Sequence, residues 1–351
     1  MALTVFSRIA TVPWLHGFSA FLAMAMLAGC LHVGTSSSFV VVKRAQMHMG
    51  TLVQITAVAA TDGTAQGAIT AGFQEIRRLE ELLSTWIPTS ELSRVNEAAG
   101  REPVKVSPET MEILKQSVEM ARLTEGGFNI AIGPAIDAWK VTEGPRIPDE
   151  AELSRLKPLV DLSQLRLDER AGTAYLAMPG MRVDVGGIGK GFAADRAAAV
   201  LQAAGATAGV VALSGDIKTF GTMPGGASFV FGIQHPRKEG ALLARIVLQD
   251  EAISTAGDYE RFFERDGVRY HHILDPATLQ PARDCQSVTV VAREGTVADG
   301  LDTGIFVLGP DRGMELVERL PGVEAVIVDG QGRVRVSSGL KDRLQIETAG
   351  Q

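Results

Sequence analysis

Cysteine is scarce in this sequence, whose 351 residues contain only Cys30 and Cys285. Cys30 closes an apolar N-terminal run, so one cysteine remains for the rest of the chain and an internal disulfide is excluded. No spacing of cysteine and histidine typical of a zinc site is present either. The charge of the neighbouring Asp284 would disfavour a thiolate, so we interpret Cys285 as a small buried residue and not as a nucleophile.

An excess of basic residues is also missing. Lysine and arginine together number 34 against 41 aspartates and glutamates, which gives a net charge of −7. Proteins that bind nucleic acid carry a basic face, so this balance argues against nucleic acid as a partner. Heptads, repeats and a strict alternation of strand and helix are absent as well. The mixture of short strand and helix patterns predicts an α+β fold, with mixed sheets and flanking helices.

The N-terminal segment has the pattern of a secretory signal. Arg8 precedes a mostly apolar run over residues 9–28, and residues 27–30 read Leu-Ala-Gly-Cys. This ending resembles a bacterial lipobox, which implies removal of residues 1–29 and attachment of lipid to Cys30. The mature chain would then be held at a bacterial membrane, on its periplasmic side.

The lipobox divides the chain into three parts. After the signal, residues 30–46 would form a lipid-anchored tether, and residues 47–345 would form the folded domain. The alternative is an uncleaved membrane anchor. Pro13 and His16 interrupt the apolar run, which disfavours a spanning helix.

Local patterns predict several individual elements. Apolar residues at steps of three and four over residues 69–86 predict an amphipathic helix. Ser107 as N-cap and Pro108 in the first turn predict a second helix, which would stop at the glycine pair 126–127. Residues 90–96 are predicted to form a short irregular turn.

A glycine-rich stretch is the most informative part of the chain. Residues 183–195 read Val-Asp-Val-Gly-Gly-Ile-Gly-Lys-Gly-Phe-Ala-Ala-Asp, and residues 186–191 are named the glycine bend. The β-branched approach over residues 181–185 and the alanines after the bend predict a strand, a tight turn and a helix. Glycines allow a ligand close to the backbone, helix N-terminal amides carry partial positive charge, and Lys190 adds a full charge. This combination favours a phosphate.

The glycine bend is not one of the two common phosphate loops. A P-loop requires serine or threonine after its lysine, whereas Gly191 follows Lys190. The dinucleotide pattern GxGxxG fails because Phe192 stands at the position of its last glycine. The alternative is a glycine-rich turn that only packs a helix against a strand, and the local pattern does not decide between the two.

Two acids and a threonine form a second informative group. If residues 298–306 are helical, Asp299 and Thr303 lie four residues apart on one face, with Asp302 beside them. Carboxylate and hydroxyl oxygens are hard ligands, suited to Mg²⁺ and not to zinc. The alternative is a helix N-terminus stabilised by acids, with Thr303 bonded to its own backbone. Taken alone, this stretch favours the alternative.

Adjacent histidines at positions 271 and 272 form a third group. Neighbouring residues of a strand point to opposite faces, so at most one of His271 and His272 can face a given site. One of them as a hydrogen-bond donor or general acid/base is the functional interpretation. A histidine at a strand end bonded to Asp275 is the equally supported alternative.

Taken in order, eight stretches resemble the FAD:protein FMN transferases, also named ApbE-type flavin transferases. They extend from Met49 to Gly309, which is most of the mature chain. The stretches are residues 49–51, 90–96, 127–134, 183–195, 214–217, 254–262, 270–276 and 298–309.

The resemblance implies a fold and an activity. The fold would be ApbE/T-fold-like, with residues 47–345 as a single catalytic unit of two intertwined subdomains. The enzyme would be periplasmic and Mg²⁺-dependent, and it would transfer FMN from FAD to a serine or threonine hydroxyl of a target protein, releasing AMP. The targets of the family are subunits of sodium-translocating quinone reductases and related redox complexes.

The resemblance also implies roles for particular residues. The metal ligands would be Asp299, Asp302, Thr303 and the backbone carbonyl of Gly187. Lys190 and His272 would be catalytic, with His272 positioning or deprotonating the incoming hydroxyl. The residues in contact with FAD would be Met49, Trp86, Gly127, Phe128, Asn129, Asp184, Lys190, His272 and Ile273.

Two positions depart from the family pattern. Asn129 stands where aspartate is frequent, which puts a charged contact there in doubt. Ser214 replaces a frequent glycine before Gly215 and Asp216 but keeps the carboxylate.

Two rival functions share much of this pattern. With water as acceptor, the same site would make a periplasmic FAD pyrophosphatase that yields AMP and FMN. A non-catalytic flavin-binding lipoprotein would not need Asp299, Asp302 and Thr303 together. All catalytic interpretations require these residues to lie beside the glycine bend in the folded chain.

Overall fold

The structure is a computed structural model that describes residues 39–347. The predicted signal peptide, its lipobox and Cys30 lie outside the described residues. Among residues 39–347, none of the helices has the length and apolar character needed to cross a membrane.

Helices and strands alternate irregularly along the chain. The helices are α1 (Asp62–Leu83), α2 (Glu91–Glu97), α3 (Pro108–Leu123), α4 (Gly133–Trp139), α5 (Glu150–Leu156), α6 (Gly189–Ala203), α7 (Gly295–Leu308) and α8 (Pro310–Arg319). Short 3-10 segments cover Ile130–Ile132, Lys157–Val160, Leu162–Gln164 and Ser338–Leu340. The strands are β1 (Val40–His48), β2 (Thr51–Ala59), β3 (Val104–Lys105), β4 (Leu165–Asp168), β5 (Thr173–Leu176), β6 (Ala208–Leu213), β7 (Asp216–Phe220), β8 (Phe229–Gln234), β9 (Leu242–Leu248), β10 (Ala252–Gly257), β11 (Phe262–Arg265), β12 (Val268–His271), β13 (Cys285–Ala292), β14 (Glu324–Asp329), β15 (Val334–Val336) and β16 (Leu344–Ile346).

An eight-stranded sheet forms the centre, in the order β1-β2-β6-β7-β10-β13-β14-β15. Helices α1, α6 and α7 pack on one face, and a three-stranded sheet of order β16-β9-β8 covers part of the other. Successive residues of β10 point to opposite faces of the central sheet. Ala252 packs in the core between the sheet and the helices, and Ile253 packs in the core between the sheet and the three-stranded sheet. The described strand pairs are antiparallel. The predicted α+β class is confirmed.

Both locally predicted helices are present, but their limits differ: α1 spans Asp62–Leu83 and not residues 69–86, and α3 ends at Leu123, before the glycine pair 126–127. Helix α3 begins at Pro108, and the Ser107 side chain accepts the N–H of Thr110 at 3.2 Å. The irregular turn predicted over residues 90–96 is wrong, because this segment is helix α2. The side chain of Ser90 accepts the N–H of Ser93 at 3.0 Å and so caps this helix.

Two predicted boundaries also differ from the structure. The tether was expected to extend to residue 46, but β1 begins at Val40 and pairs with β2 along its whole length. The folded unit therefore starts seven residues earlier. Residues 181–185 pair with no strand; the Asn96 side chain instead donates to the carbonyl of Val183 at 2.9 Å and accepts its N–H at 2.7 Å.

Candidate active site

The N-terminal ends of α6 and α7 meet above the helical face of the sheet. The N–H of Gly191, in the glycine bend, donates to Oδ2 of Asp299 at 2.8 Å. A Cβ on Gly191 would lie 2.1 Å from the carbonyl oxygen of Gly295, so only glycine allows this approach. The glycine bend and the acids near position 300 are therefore adjacent, as every catalytic interpretation requires.

Three carboxylates form a buried group, which we name the acid cluster: Asp216, Asp299 and Asp302. Each offers an oxygen, and these oxygens lie within 4.8 Å of one another. Each of the three residues is only 2–3% exposed. Buried charges of one sign need a counter-charge, and oxygen ligands this close suit a hard divalent cation such as Mg²⁺.

The contacts of Ser254 show whether the acid cluster can accommodate a cation. Its hydroxyl lies 2.6 Å from Oδ2 of Asp302 and also contacts Oδ1 of Asp216. A hydroxyl has one hydrogen and can donate to only one of two carboxylates. The second contact requires a proton on a carboxyl group or a cation nearby, so the donor set fits a metal centre.

The electrostatics of the acid cluster point the same way. Burial, and then the neighbouring carboxylates, raise the pKa of Asp299 and of Asp302 well above the ordinary range. Burial opposes the charge of Lys190, but Asp216, Asp299 and Asp302 outweigh it and raise the pKa of Lys190. One ammonium cannot neutralise three carboxylates, so protons or a cation must offset the remaining charge.

Lys190 lies within the acid cluster, where its Nζ forms an ion pair with Oδ2 of Asp216. The prediction placed this ammonium on a phosphate. In the structure it partly neutralises the acids, and its position at the start of α6 keeps it beside the glycine bend.

The other predicted metal ligands converge on the same place. The Thr303 hydroxyl donates to Oδ1 of Asp302 at 3.1 Å. It also lies 3.3 Å from the point where a Cβ of Gly187 would stand. Thr303 therefore contacts the acid cluster at Asp302, and Gly187 lies next to Thr303.

Three of the predicted FAD contacts lie on the outer side of the glycine bend. Met49 and Gly50 form the two-residue turn between β1 and β2, and both have positive φ. The Met49 methyl lies 3.9 Å from the Cβ position of Gly189. Asp184 accepts the hydroxyl of Thr85 at 3.0 Å, and the next residue, Trp86, is 73% exposed. A large exposed aromatic ring beside the bend is suited to stacking on a planar ligand.

Three consecutive predicted FAD contacts, Gly127, Phe128 and Asn129, are engaged in packing or in backbone bonds within the protein. A Cβ on Gly127 would lie 2.7 Å from the carbonyl oxygen of Gly304, and Phe128 is buried. Asn129 donates to the carbonyl of Val160 at 2.8 Å and accepts the N–H of Ala131 at 2.8 Å. These residues shape the wall behind the bend through packing and backbone bonds.

Ile273 is likewise buried at 5% exposure, with its backbone bonded on both sides. Its N–H donates to Nδ1 of His271 at 3.3 Å, and its carbonyl accepts the N–H of Ala282 at 3.0 Å. The N–H and the carbonyl of Ile273 are therefore both bonded within the protein.

The adjacent histidines have different surroundings, and only His271 belongs to strand β12, since His272 lies in the bend that follows it. His271 is buried, its Nε2 donates to the carbonyl of Ala282 at 2.7 Å, and its ring packs against Phe306. His272 is half-buried, and its Nδ1 donates to the carbonyl of Arg261 at 3.2 Å, which leaves Nε2 as an acceptor. Burial, followed by the charge of Arg261, lowers the pKa of His272 to about 3, and Lys190 contributes to the same shift. His272 is therefore neutral, and it lies within electrostatic reach of Lys190.

Sequence reasoning missed two residues of the site, Asp216 and Ser254. Asp216 belongs to a motif that had been noted for its carboxylate, but no local pattern links it to residues near position 300. The pairing of β7 with β10 brings Asp216 and Ser254 together. Only knowledge of the strand order would have found them.

The fold and the site define a class of α+β protein in which a glycine-rich helix N-terminus faces a buried, cation-compatible acid cluster. The model of the ApbE family matches residues 49–327, and the chain belongs to this family.

Relatives and solved structures agree with this family. A FAD:protein FMN transferase of Treponema pallidum (strain Nichols) is 34% identical over 322 residues, which cover 86% of this chain and 88% of the relative. The ApbE protein of Thermotoga maritima has a TM-score of 0.80 at 30% identity, over 86% of this chain and 99% of that one. The flavin transferase ApbE of Vibrio cholerae has a TM-score of 0.77 at 28% identity, over 87% and 99%.

Proposed function

We propose that this chain transfers FMN from FAD to a serine or threonine hydroxyl of a partner protein, with release of AMP and with Mg²⁺ in the acid cluster. The observation that carries the proposal is the 2.8 Å hydrogen bond between the N–H of Gly191 and Asp299. It joins the glycine bend, suited to phosphate, to the acid cluster, suited to a cation. Binding and activating a diphosphate requires both a place for its phosphate oxygens and a cation beside them.

The chain's own residues would bind and orient the diphosphate. The glycine bend would let phosphate oxygens approach the backbone closely, and Lys190 would add a full positive charge beside it. Asp216, Asp299, Asp302, Thr303 and the Gly187 carbonyl would hold Mg²⁺. When bound there, Mg²⁺ would offset charge on the phosphorus centre as it develops.

The transfer step balances without a further reactant. The acceptor oxygen forms a bond to the phosphorus on the riboflavin side, and the bond from that phosphorus to the AMP oxygen breaks. The acceptor proton goes to a base, and Nε2 of neutral His272 is the proposed group. Its lowered pKa makes it a weak base, so orienting the hydroxyl would be the larger part of its role.

The acceptor comes from outside the site, so water could replace it and give hydrolysis to AMP and FMN. The buried acid cluster disfavours a non-catalytic flavin carrier, because flavin binding alone does not require three costly buried carboxylates.

We also propose that the acceptors are redox-complex subunits and that the protein acts in the periplasm, anchored through lipid on Cys30. The lipobox pattern supports the anchor. Cys30→Ala should move the protein from the membrane to the soluble periplasmic fraction, and continued membrane attachment of that variant would contradict the anchor.

The decisive experiment incubates the protein with FAD, Mg²⁺ and a candidate acceptor, and follows acceptor mass and AMP together. Equal amounts of AMP and FMN-modified acceptor support transfer, whereas AMP with free FMN supports hydrolysis. A chelator and Asp299→Ala should each abolish AMP release. Asp311→Ala, an exposed acid in the first turn of α8, is the matched control and should leave it unchanged. Undiminished AMP release by Asp299→Ala would refute the metal role.

A further inference from the structure

Helices α6 and α7 both begin without a side-chain cap from their own N-cap residue. The residues at their N-cap positions, Ile188 and Glu294, provide no side-chain acceptor for the first N–H groups. A helix start leaves its first four N–H groups without partners in the helix, so acceptors must come from elsewhere.

Each helix supplies the acceptor for the other. Asp195 of α6 accepts the N–H of Gly295 through Oδ1 at 2.7 Å, and the N–H and hydroxyl of Thr296 through Oδ2 at 2.8 Å each. Asp299 of α7 accepts the N–H of Gly191 at 2.8 Å. In both helices the glycine donor and the aspartate acceptor are four residues apart.

The backbones touch where the caps meet. A Cβ on Gly295 would lie 2.8 Å from the carbonyl oxygen of Gly191, and the reverse approach is closer still. The helices therefore have one relative position, set by contact and by the two caps. That position places Asp299 and Asp302 against the glycine bend.

We propose that Asp195 is a positioning residue for the cation site: it fixes the start of α7 and thereby the placement of Asp299 and Asp302. This inference rests on the proposed function only for the identity of the cation. Asp195 is not itself a metal ligand; it acts through the backbone of α7.

Asp195 is suited to this role because its two carboxylate oxygens accept three hydrogen bonds from α7. Asparagine has one oxygen and would place its NH₂ group against an N–H donor of α7. Lys218, whose Nζ lies 4.0 Å from Oδ1, is the neighbouring cation. Asp195→Asn therefore breaks one side of the cap with little change in side-chain size.

The test compares Mg²⁺ binding by calorimetry in the full chain and in Asp195→Asn. We expect the dissociation constant for Mg²⁺ to rise about tenfold or more, as for other groups that orient metal ligands. At saturating Mg²⁺ the rate of AMP release should recover to within about twofold, because the site can still assemble.

Asp149→Asn is the matched control. Asp149 caps α5 through a single bond to the N–H of Glu152 at 2.7 Å, and asparagine can make that bond. Helix α5 carries no residue of the site, so Mg²⁺ binding should not change. Thr296→Val, which removes only the hydroxyl bond to Asp195, should weaken Mg²⁺ binding to a smaller extent and decides the question if Asp195→Asn does not fold.

Each outcome bears on a different statement. Unchanged Mg²⁺ affinity in folded Asp195→Asn, or in Thr296→Val if only that variant folds, would overturn the positioning role. Wild-type protein that binds Mg²⁺ but transfers no FMN would refute the proposed function, while the binding comparison still decides the role of Asp195. Wild-type protein that binds no Mg²⁺ would overturn the cation site and this inference with it.

Discussion

A single hydroxyl between two carboxylates shows how tightly charge is balanced at the scale of the residue. Ser254 can satisfy Asp216 or Asp302, but its one hydrogen cannot serve both. Lys190 neutralises one charge of the three. The site therefore holds a deficit of positive charge that a divalent cation would fill.

Asp216 should be needed for cation binding although local sequence patterns did not mark it as a ligand. We expect Asp216→Asn to raise the dissociation constant for Mg²⁺ about tenfold, or about 1.4 kcal/mol, because one of three anionic ligands becomes neutral. Calorimetry would measure the change. Asp250→Asn, on an exposed turn, is the control, and equal affinities in the two variants would exclude Asp216 from the site.

His272 should act on the acceptor and not on the metal. We expect His272→Gln to lower the rate of transfer about a hundredfold while leaving the Mg²⁺ dissociation constant unchanged. The assay is acceptor mass against time at saturating Mg²⁺. His235→Gln, in the turn after β8, should retain full activity, and a loss of Mg²⁺ binding in His272→Gln would contradict this division of roles.

At the scale of the element, glycines decide how closely helices approach their neighbours. Gly304 of α7 has no room for a side chain, since a Cβ would lie 2.4 Å from Cγ2 of Thr124. Gly67, in the exposed middle of α1, has nothing within 4 Å of its Cβ position. The same substitution should therefore have opposite effects in the two helices.

Gly304→Ala should destabilise the fold by about 1 to 3 kcal/mol through overpacking. Gly67→Ala should stabilise it by up to about 1 kcal/mol, because alanine favours the helix and meets no obstacle. Denaturant unfolding of both variants would measure the free energies. Destabilisation by Gly67→Ala would show that α1 is packed differently from the structure described.

Sequence patterns predicted elements well where caps and periodicity are local. The start of α3 at Pro108 follows from two adjacent residues, Ser107 as N-cap and Pro108 in the first turn. The helix at residues 91–97 was missed because its short length gives little periodicity, although its N-cap, Ser90, was visible. The unpaired segment at residues 181–185 was mistaken for a strand because the Asn96 side chain, 87 residues away from Val183, satisfies its backbone.

At the scale of the whole molecule, the candidate site joins residues that are far apart in sequence. The adjacency of the glycine bend and the acids near position 300 followed from the family resemblance, whereas Asp216, Ser254 and Asp195 enter through strand order and helix crossing. Contacts between residues so far apart in sequence produce no periodic pattern in the chain, so local patterns could not predict them.

The acid cluster should make global stability depend on pH and Mg²⁺ together. Asp299 and Asp302 have raised pKa values when folded and ordinary ones, near ~4, when unfolded. Between these values the folded state binds more protons than the unfolded state, so stability without metal should fall as pH rises from about 5 to about 8. Protons and Mg²⁺ compete for the same oxygens, so Mg²⁺ should raise the melting temperature more at about pH 8 than at about pH 5.

Thermal unfolding at the two pH values, with Mg²⁺ and with chelator, would measure this coupling. Asp299→Ala should reduce the pH dependence and the response to Mg²⁺. A Mg²⁺ response of equal size at both pH values would show that the cation binds elsewhere.

The burial of Cys285 has a practical consequence for spectroscopy. This thiol is 2% exposed on a strand with neighbours on both sides, and burial raises its pKa to about 12. Between residues 39 and 347 it is the only sulfhydryl, and it is shielded from alkylating reagents. A cysteine introduced on the surface of these residues would therefore carry a fluorophore or spin label at one site, with the native thiol left in place.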